Sequence, residues 1–334
     1  MSVKILAIES SCDETSAAVI QDGIVLSNII LSQSVHEIYG GVVPELASRA
    51  HQQHIISIVD RALKESKFDI KAMDAIAFTE GPGLLGALLV GISFSKGLAL
   101  SMDIPLISVN HMQAHILAHF IDDPKPSFPF LCLTVSGGHT QIVKVTNYLD
   151  MEVLGETRDD AVGEAFDKTA KMLGLPYPGG HLIDSYAQEG NPSRFKFPRT
   201  EIEGCNYSFS GIKTAVLYFL RDEIKKDDNF IKNNLHDLCA SIQYSLIDML
   251  LDKLAFCAEK FGIRNIAIAG GVAANSELRK KISNMELTHN WKTFIPKIEY
   301  CTDNAAMIAI ASHFKYMNKD FADLSVTPEA RLKM

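Results

Sequence analysis

The chain makes the same opening move twice. Residues 3–28, VKILAIESSCDETSAAVIQDGIVLSN, run apolar strand, polar turn, alternating strand, QDG turn and a third apolar strand. Residues 130–156, FLCLTVSGGHTQIVKVTNYLDMEVLGE, repeat that order with SGGHT at the first turn. Alternation of period two, broken by such turns, specifies a three-stranded meander, and Asp-Gly is a favoured hairpin turn. Two meanders divide the chain into two units. Its 334 residues also exceed what one core usually serves.

Behind each meander the period changes. The first is followed by a helix over 44–66, a strand at 75–79, a helix over 84–102 and a strand at 105–109. The second is followed by helices near 161–174, 211–226 and 233–262. A strand at 265–270, a helix near 275–285 and a last helix from about 303 to 317 complete it. This alternation reads as α/β. By analogy the expected architecture is two actin/Hsp70/sugar-kinase-like domains, each a β-meander plus helices, around a central nucleotide cleft. The N-terminal lobe is placed at 1–110. The C-terminal lobe, with helical insertions, is placed at 111–334, its last helix free to pack back on the N-terminal lobe.

Forty acidic residues against 32 basic ones give a net charge of −8. Such a field does not draw nucleic acid, so any nucleic acid must be held by a local basic patch or by a companion protein. RFKFPR, 194–199, offers one patch: Arg194, Lys196 and Arg199 alternate with Phe195 and Phe197. That pattern suits phosphate contact with base stacking, or equally a solvated loop with a small apolar anchor. The six cysteines form no CxxC pair, and free thiols in a reducing cytosol are expected. The first strand leaves no room for a targeting segment, so the expected location is cytoplasmic. GLLGALLVGISFSKGLAL, 83–100, is barely long enough to span a bilayer and carries Lys96. It reads as a buried helix, with no membrane involved.

Several short stretches carry chemistry. In HMQAH, His111 and His115 share one face if helical, at the spacing two nitrogen ligands of one metal require. The pair also suits acid–base work or plain packing. A zinc protease would need Glu after the first histidine, and Met112 stands there. A third ligand would best be an oxygen. Asp303, in YCTDNAAMIA, offers one, or else caps the helix that follows it. Asp13 and Glu14, in ESSCDETS, place adjacent acids at the first meander's turn. At the second, Gly137 and Gly138 let backbone N–H groups approach an anion, with Ser136 adding a hydroxyl; a plain tight turn is the alternative. AIAGGVAANSELR joins strand to helix through Gly270-Gly271, a junction where phosphates bind. Its Asn275 either caps the helix or meets a ribose or base. GEAFDKTAKMLGLPYPGGHLID adds Asp167 on a helix, then Gly180 and Asp184 where the next helix begins.

Nine blocks, in one order from about residue 3 to 315, resemble a known family. They are IESSCDETSAAV, YGGVVPELASRAH, TEGPGLLGALLVG, VNHMQAH, LTVSGGHTQIV, DDAVGEAFDKTAKMLGLPYPGG, YSFSGIKTAV, AGGVAANSELR and CTDNAAMIA. The chain is similar to the TsaD family, also called Gcp or YgjD. These are tRNA N6-adenosine threonylcarbamoyltransferases, once described as O-sialoglycoprotein endopeptidases. The resemblance implies one divalent metal per subunit, Fe2+ ahead of Zn2+, on His111, His115 and Asp303. It implies substrate and nucleotide contacts at Thr134, Val135, Ser136, Gly137, Gly138, Asp167, Gly180, Asp184 and Asn275, and a role in transfer for Asp13 and Glu14. It further implies transfer of a threonylcarbamoyl group from threonylcarbamoyl-AMP to N6 of the adenosine 3′ of the anticodon, in tRNAs reading codons that begin with A. Partners would be tRNA, a TsaB-like paralogue and a TsaE-like ATPase, and the helix over 44–63 is a candidate docking face. Two rivals share the scaffold: an ATP-dependent small-molecule kinase, and a nucleotide-switched scaffold without chemistry. Neither needs a His–His–Asp metal.

Overall fold

The computed structural model describes residues 2–200 and 202–334. The chain forms β1 (Lys4–Glu9), β2 (Glu14–Gln21), β3 (Ile24–Ser32), α1 (Pro44–Ser66), β4 (Ala75–Gly81), α2 (Leu85–Met102), β5 (Leu106–Asn110) and α3 (His111–Leu117). Next come β6 (Phe130–Val135), β7 (Thr140–Asn147), β8 (Asp150–Glu156), α4 (Val162–Met172), α5 (Gly180–Ala187), α6 (Ser210–Ile224) and α7 (Phe230–Phe261). Then β9 (Asn265–Ala269), α8 (Ser276–His289), β10 (Lys292–Phe294) and α9 (Ala305–Met317) follow. Two compact units result. The first holds Met1–Lys125, Asn147–Met151 and Pro296–Met334; the second holds Pro126–Thr146 and Glu152–Ile295. A division at 110/111 would cut β5 from α3, which starts at the next residue, and the first unit keeps both.

The two sheets share one plan. In the first unit the order is β3-β2-β1-β4-β5, in the second β8-β7-β6-β9-β10. In the first, β1 pairs β2 antiparallel and β4 parallel, and β4 pairs β5 parallel. In the second, β6 pairs β7 antiparallel and β9 parallel, and β9 pairs β10 parallel. The QDG turn behaves as its residues require: Asp22 and Gly23 both take positive φ, 50° and 83°. β10 escapes sequence reading because KTF is too short to show a period.

The first unit's core lies between its sheet and α1 and α2, around Leu6, Ile8, Val19, Ile58, Phe78, Leu88 and Ile92. Helix α2 is the one described helix long and apolar enough to cross a membrane. Its Leu88, Ile92 and Ala99 are instead buried in this core, while Leu85, Leu89 and Leu100 are exposed, so one face of the stretch expected to be buried is open. Helix α9 packs on β1, β2 and β3 and on α3. Its first turn is tied down by Ala305 N–H donating to Ser16 Oγ (2.8 Å) and Ala306 N–H to Asn28 Oδ1 (3.1 Å). In the second unit Cys205 and Cys257 form a disulfide (S–S 1.95 Å), so the expectation of six free thiols is corrected to four. Without a CxxC spacing, this pair, 52 residues apart, leaves no sequence signal.

Candidate functional site

In the first unit Asn110, the last residue of β5, turns the chain directly into α3. Its side chain accepts from Met112 N–H (2.9 Å) and Gln113 N–H (3.2 Å), a helix cap. The helix puts His111 and His115 on one face, their rings 4.7 Å apart and perpendicular. Asp303 arrives from the far end of the chain, one residue before Asn304, which caps α9 through Met307 N–H (3.0 Å). Asn304 therefore performs the capping that the sequence left open for Asp303. Asp303 Oδ1 is 3.1 Å from His115 Nε2 and 3.4 Å from His111 Nε2. One donor atom from each residue lies within 4.8 Å of the other two. Nitrogen and oxygen ligands at about 2.0–2.2 Å from a cation sit roughly 3–3.5 Å apart, so this donor set fits a divalent metal.

Electrostatics point the same way. Burial disfavours a charged His111, yet the carboxylates of Asp303 and Glu9 raise its pKa well above the ordinary histidine range. Burial likewise opposes ionisation of Asp303, and the charge of His111 outweighs it, holding the carboxyl well below its usual range. Burial, with the charges of Asp303 and Asp13, pushes Glu14 up to about 10. Carboxylates this close either hold a proton or share a cation.

Sequence reasoning passed over Glu9, which closes an apolar strand and looks like its solvated end. It is fully buried. Ser11 N–H and Thr79 Oγ1 (2.6 Å) donate to it, and His111 Nδ1 lies 3.2 Å from Oε2. His51 was missed as well. Buried on α1, its Nε2 is 2.9 Å from Cys12 O and its Nδ1 2.8 Å from Thr15 Oγ1, so it anchors the turn bearing Asp13 and Glu14.

In the second unit the glycine loops gather at the ends of β6 and β9. Ser136 N–H donates to His139 O (2.8 Å), and Gly163 N–H, at the start of α4, donates to Ser136 O (3.2 Å). Gly270 has φ +88°, and a Cβ there would meet Val135 O at 2.5 Å, so strand and loop approach only through glycine. Gly137 and Gly138 are exposed, with open space where a Cβ would point. Thr134 and Val135 are buried in β6. Asp167 accepts from Gly179 N–H (2.9 Å) and Gly180 N–H (3.0 Å), shaping the PGG turn. Asp184 accepts from Ser276 N–H (2.9 Å) and Oγ (2.7 Å) at the first turn of α8. Asn275 caps α8 through Leu278 N–H (3.0 Å) and donates to Gln243 Oε1 (2.7 Å). In this structure these three side chains hold the loops in place.

In RFKFPR the rings take up the apolar anchor that the sequence offered as its second reading. The ring of Phe195 lies 5.3 Å from that of Phe219 and 5.8 Å from that of Phe230, and Phe197 lies 5.7 Å from Phe219. Arg199 pairs with Asp248 and Asp252. Phe197 is buried and Phe195 half-buried in this cluster, while Arg194 and Lys196 are exposed.

Two α/β units on one sheet plan define a protein with the actin/Hsp70/sugar-kinase-like fold; one unit carries the His–His–Asp cluster and the other the glycine loops. Solved structures share the fold. Component A of the (R)-2-hydroxyglutaryl-CoA dehydratase of Acidaminococcus fermentans matches with TM-score 0.54 at 13% identity, over 95% of this chain and 99% of that one. HypF of T. kodakarensis matches with TM-score 0.60 at 15% identity, over 95% of this chain and 48% of that one. The profile of the TsaD family, tRNA N6-adenosine threonylcarbamoyltransferase, matches residues 24–310, and the chain belongs to that family. Proteins of that name from Christiangramia forsetii and Porphyromonas gingivalis are 62% and 54% identical to it, over 99% and 98% of this chain and 98% of each relative. The chain is thus a transferase of tRNA modification.

Proposed function

We propose that this chain transfers the threonylcarbamoyl group from threonylcarbamoyl-AMP to N6 of the adenosine 3′ of the anticodon, in tRNAs reading codons that begin with A. The observation that carries the reading is the convergence of His111, His115 and Asp303 in a member of this family. A kinase or a nucleotide-switched scaffold on the same fold has no use for that cluster.

The N6 amine attacks the carbamoyl carbon, a C–N bond forms, and the C–O bond to phosphate breaks with AMP leaving. An exocyclic amine is a poor nucleophile and the mixed anhydride a good electrophile, so positioning and charge stabilisation dominate. The N–H groups of Gly137 and Gly138 are the candidates for holding the adenylate phosphate. Asp13 or Glu14 takes the amine proton. Burial and the charges of Asp303 and Asp13 push Glu14 up to about 10, so it carries a proton near neutral pH and takes the amine proton only where a cation offsets those charges. His111, His115 and Asp303 would hold a divalent ion, Fe2+ or Zn2+, which supplies Lewis acidity and charge neutralisation when bound.

A paralogous partner and an ATPase belong to the same reading. The groove between α1 and α2, lined by Arg49, Gln52, Ile56, Leu89 and Phe94, supports docking there, since Ile56 and Leu89 are 68% and 46% exposed. The test is reaction of purified chain and partners with tRNA and threonylcarbamoyl-AMP, followed by mass analysis of nucleosides. His111→Ala should lose both bound metal and product. Phosphoryl transfer from ATP without nucleoside modification would favour the kinase.

A further inference from the structure

We propose that Glu9 is a positioning residue for the metal centre: it holds His111 so that Nε2 is the nitrogen offered to the ion. The inference rests on the metal reading above. Glu9 ends β1 with its side chain wholly buried, after Ile5, Leu6, Ala7 and Ile8, which are also buried. Burying a carboxylate costs several kcal/mol unless its oxygens are satisfied, so a strand that needed only packing would carry an apolar residue there. Here every oxygen is engaged. Oε1 accepts from Ser11 N–H, and Oε2 accepts from Thr79 Oγ1 (2.6 Å) and faces His111 Nδ1 (3.2 Å). Ser11 Oγ also lies 3.2 Å from that nitrogen, but a carboxylate is the stronger acceptor.

A histidine that ligates through one nitrogen is oriented by what the other donates to. With Nδ1–H aimed at Glu9, the lone pair of His111 Nε2 points where Asp303 Oδ1 and His115 Nε2 converge. Among the described residues His115 has no such support: its Nδ1 is buried with no hydrogen-bond partner there. Among the described residues Glu9 and Ser11 are the side chains at His111 Nδ1, and the carboxylate is the one that fixes its tautomer.

The test is Zn2+ affinity by chelator competition on the whole chain. Glu9→Gln keeps the shape and removes the charge. It should bind one Zn2+ per chain with affinity about 10–100-fold weaker. Thr79→Val strips one donor from the same carboxylate and should weaken binding several-fold, which keeps the test open should Glu9→Gln not fold. In Zn2+-loaded wild type, nuclear magnetic resonance should show a slowly exchanging His111 Nδ1–H proton, and Glu9→Gln should lose it. Wild-type affinity in the variants, with that proton unchanged, overturns the proposal alone. A wild-type chain that takes up no Zn2+ removes the metal reading and the proposal together.

Discussion

Asp303 Oδ1 lies 3.1 Å from His115 Nε2, although 188 residues separate the two along the chain. Helix α9, packed across β1, β2 and β3, brings them together. Asp303→Ala should therefore lose bound metal without loss of fold, since α9 keeps its own cap in Asn304. Metal affinity should fall at least about 100-fold, because even outer partners of a ligand cost 10–100-fold. Metal analysis beside circular dichroism checks this. Retained metal would remove Asp303 from the ligand set.

Glu14 makes a pH-dependent prediction. Its folded pKa is raised from 4.5 to about 10, so the metal-free folded state binds the proton more tightly than the unfolded chain does. The stability this proton contributes is complete below the unfolded pKa and drains away as pH rises towards 10. Glu14→Gln cannot lose it. The melting temperature of Glu14→Gln relative to wild type, in chelator, should therefore rise between about pH 5 and pH 9. A constant difference across that range contradicts the assignment.

Gly270→Ala addresses the second unit. The backbone at φ 88°, ψ 170°, a region essentially confined to glycine, alone costs another residue about 1–3 kcal/mol, and the 2.5 Å approach of Val135 O adds to it. The variant should lose at least that much stability in urea, and adenine nucleotide binding should weaken with it. Unchanged stability would mean that strand and loop tolerate separation.

Phe197 belongs to an aromatic cluster with Phe195 and Phe219. Phe197→Ala should cost about 3 kcal/mol in urea denaturation. Arg194→Ala and Lys196→Ala, both on exposed residues, should change stability by less than about 0.5 kcal/mol. If those two variants weaken tRNA binding, the loop's cations touch phosphate while its rings do not stack on bases.

Much of this was readable in the chain. The meanders announced themselves through turns, because Asp22-Gly23 and Ser136-Gly137-Gly138 interrupt strict alternation. The i, i+4 spacing of His111 and His115 survived into one helix face. What stayed hidden was long-range. No periodicity says that Asp303 comes back to α3, or that Cys205 finds Cys257. Glu9 was invisible for a different reason: a strand-ending acid looks solvated until the strands beside it are in place. Asp184 and Asn275 show a third limit, since a side chain that caps a helix and one that awaits a ligand have the same sequence.

The first unit is written in the chain as separated pieces, with Pro296–Met334 following all of the second. A ribosome that has already made both imidazoles must still add 188 residues before the aspartate exists. At about 5–20 residues per second that delay is roughly 10–40 s. Throughout it, the strand surface awaiting α9 stays bare. On the metal reading proposed above, the nascent polypeptide first grips an ion from three sides at the close of synthesis.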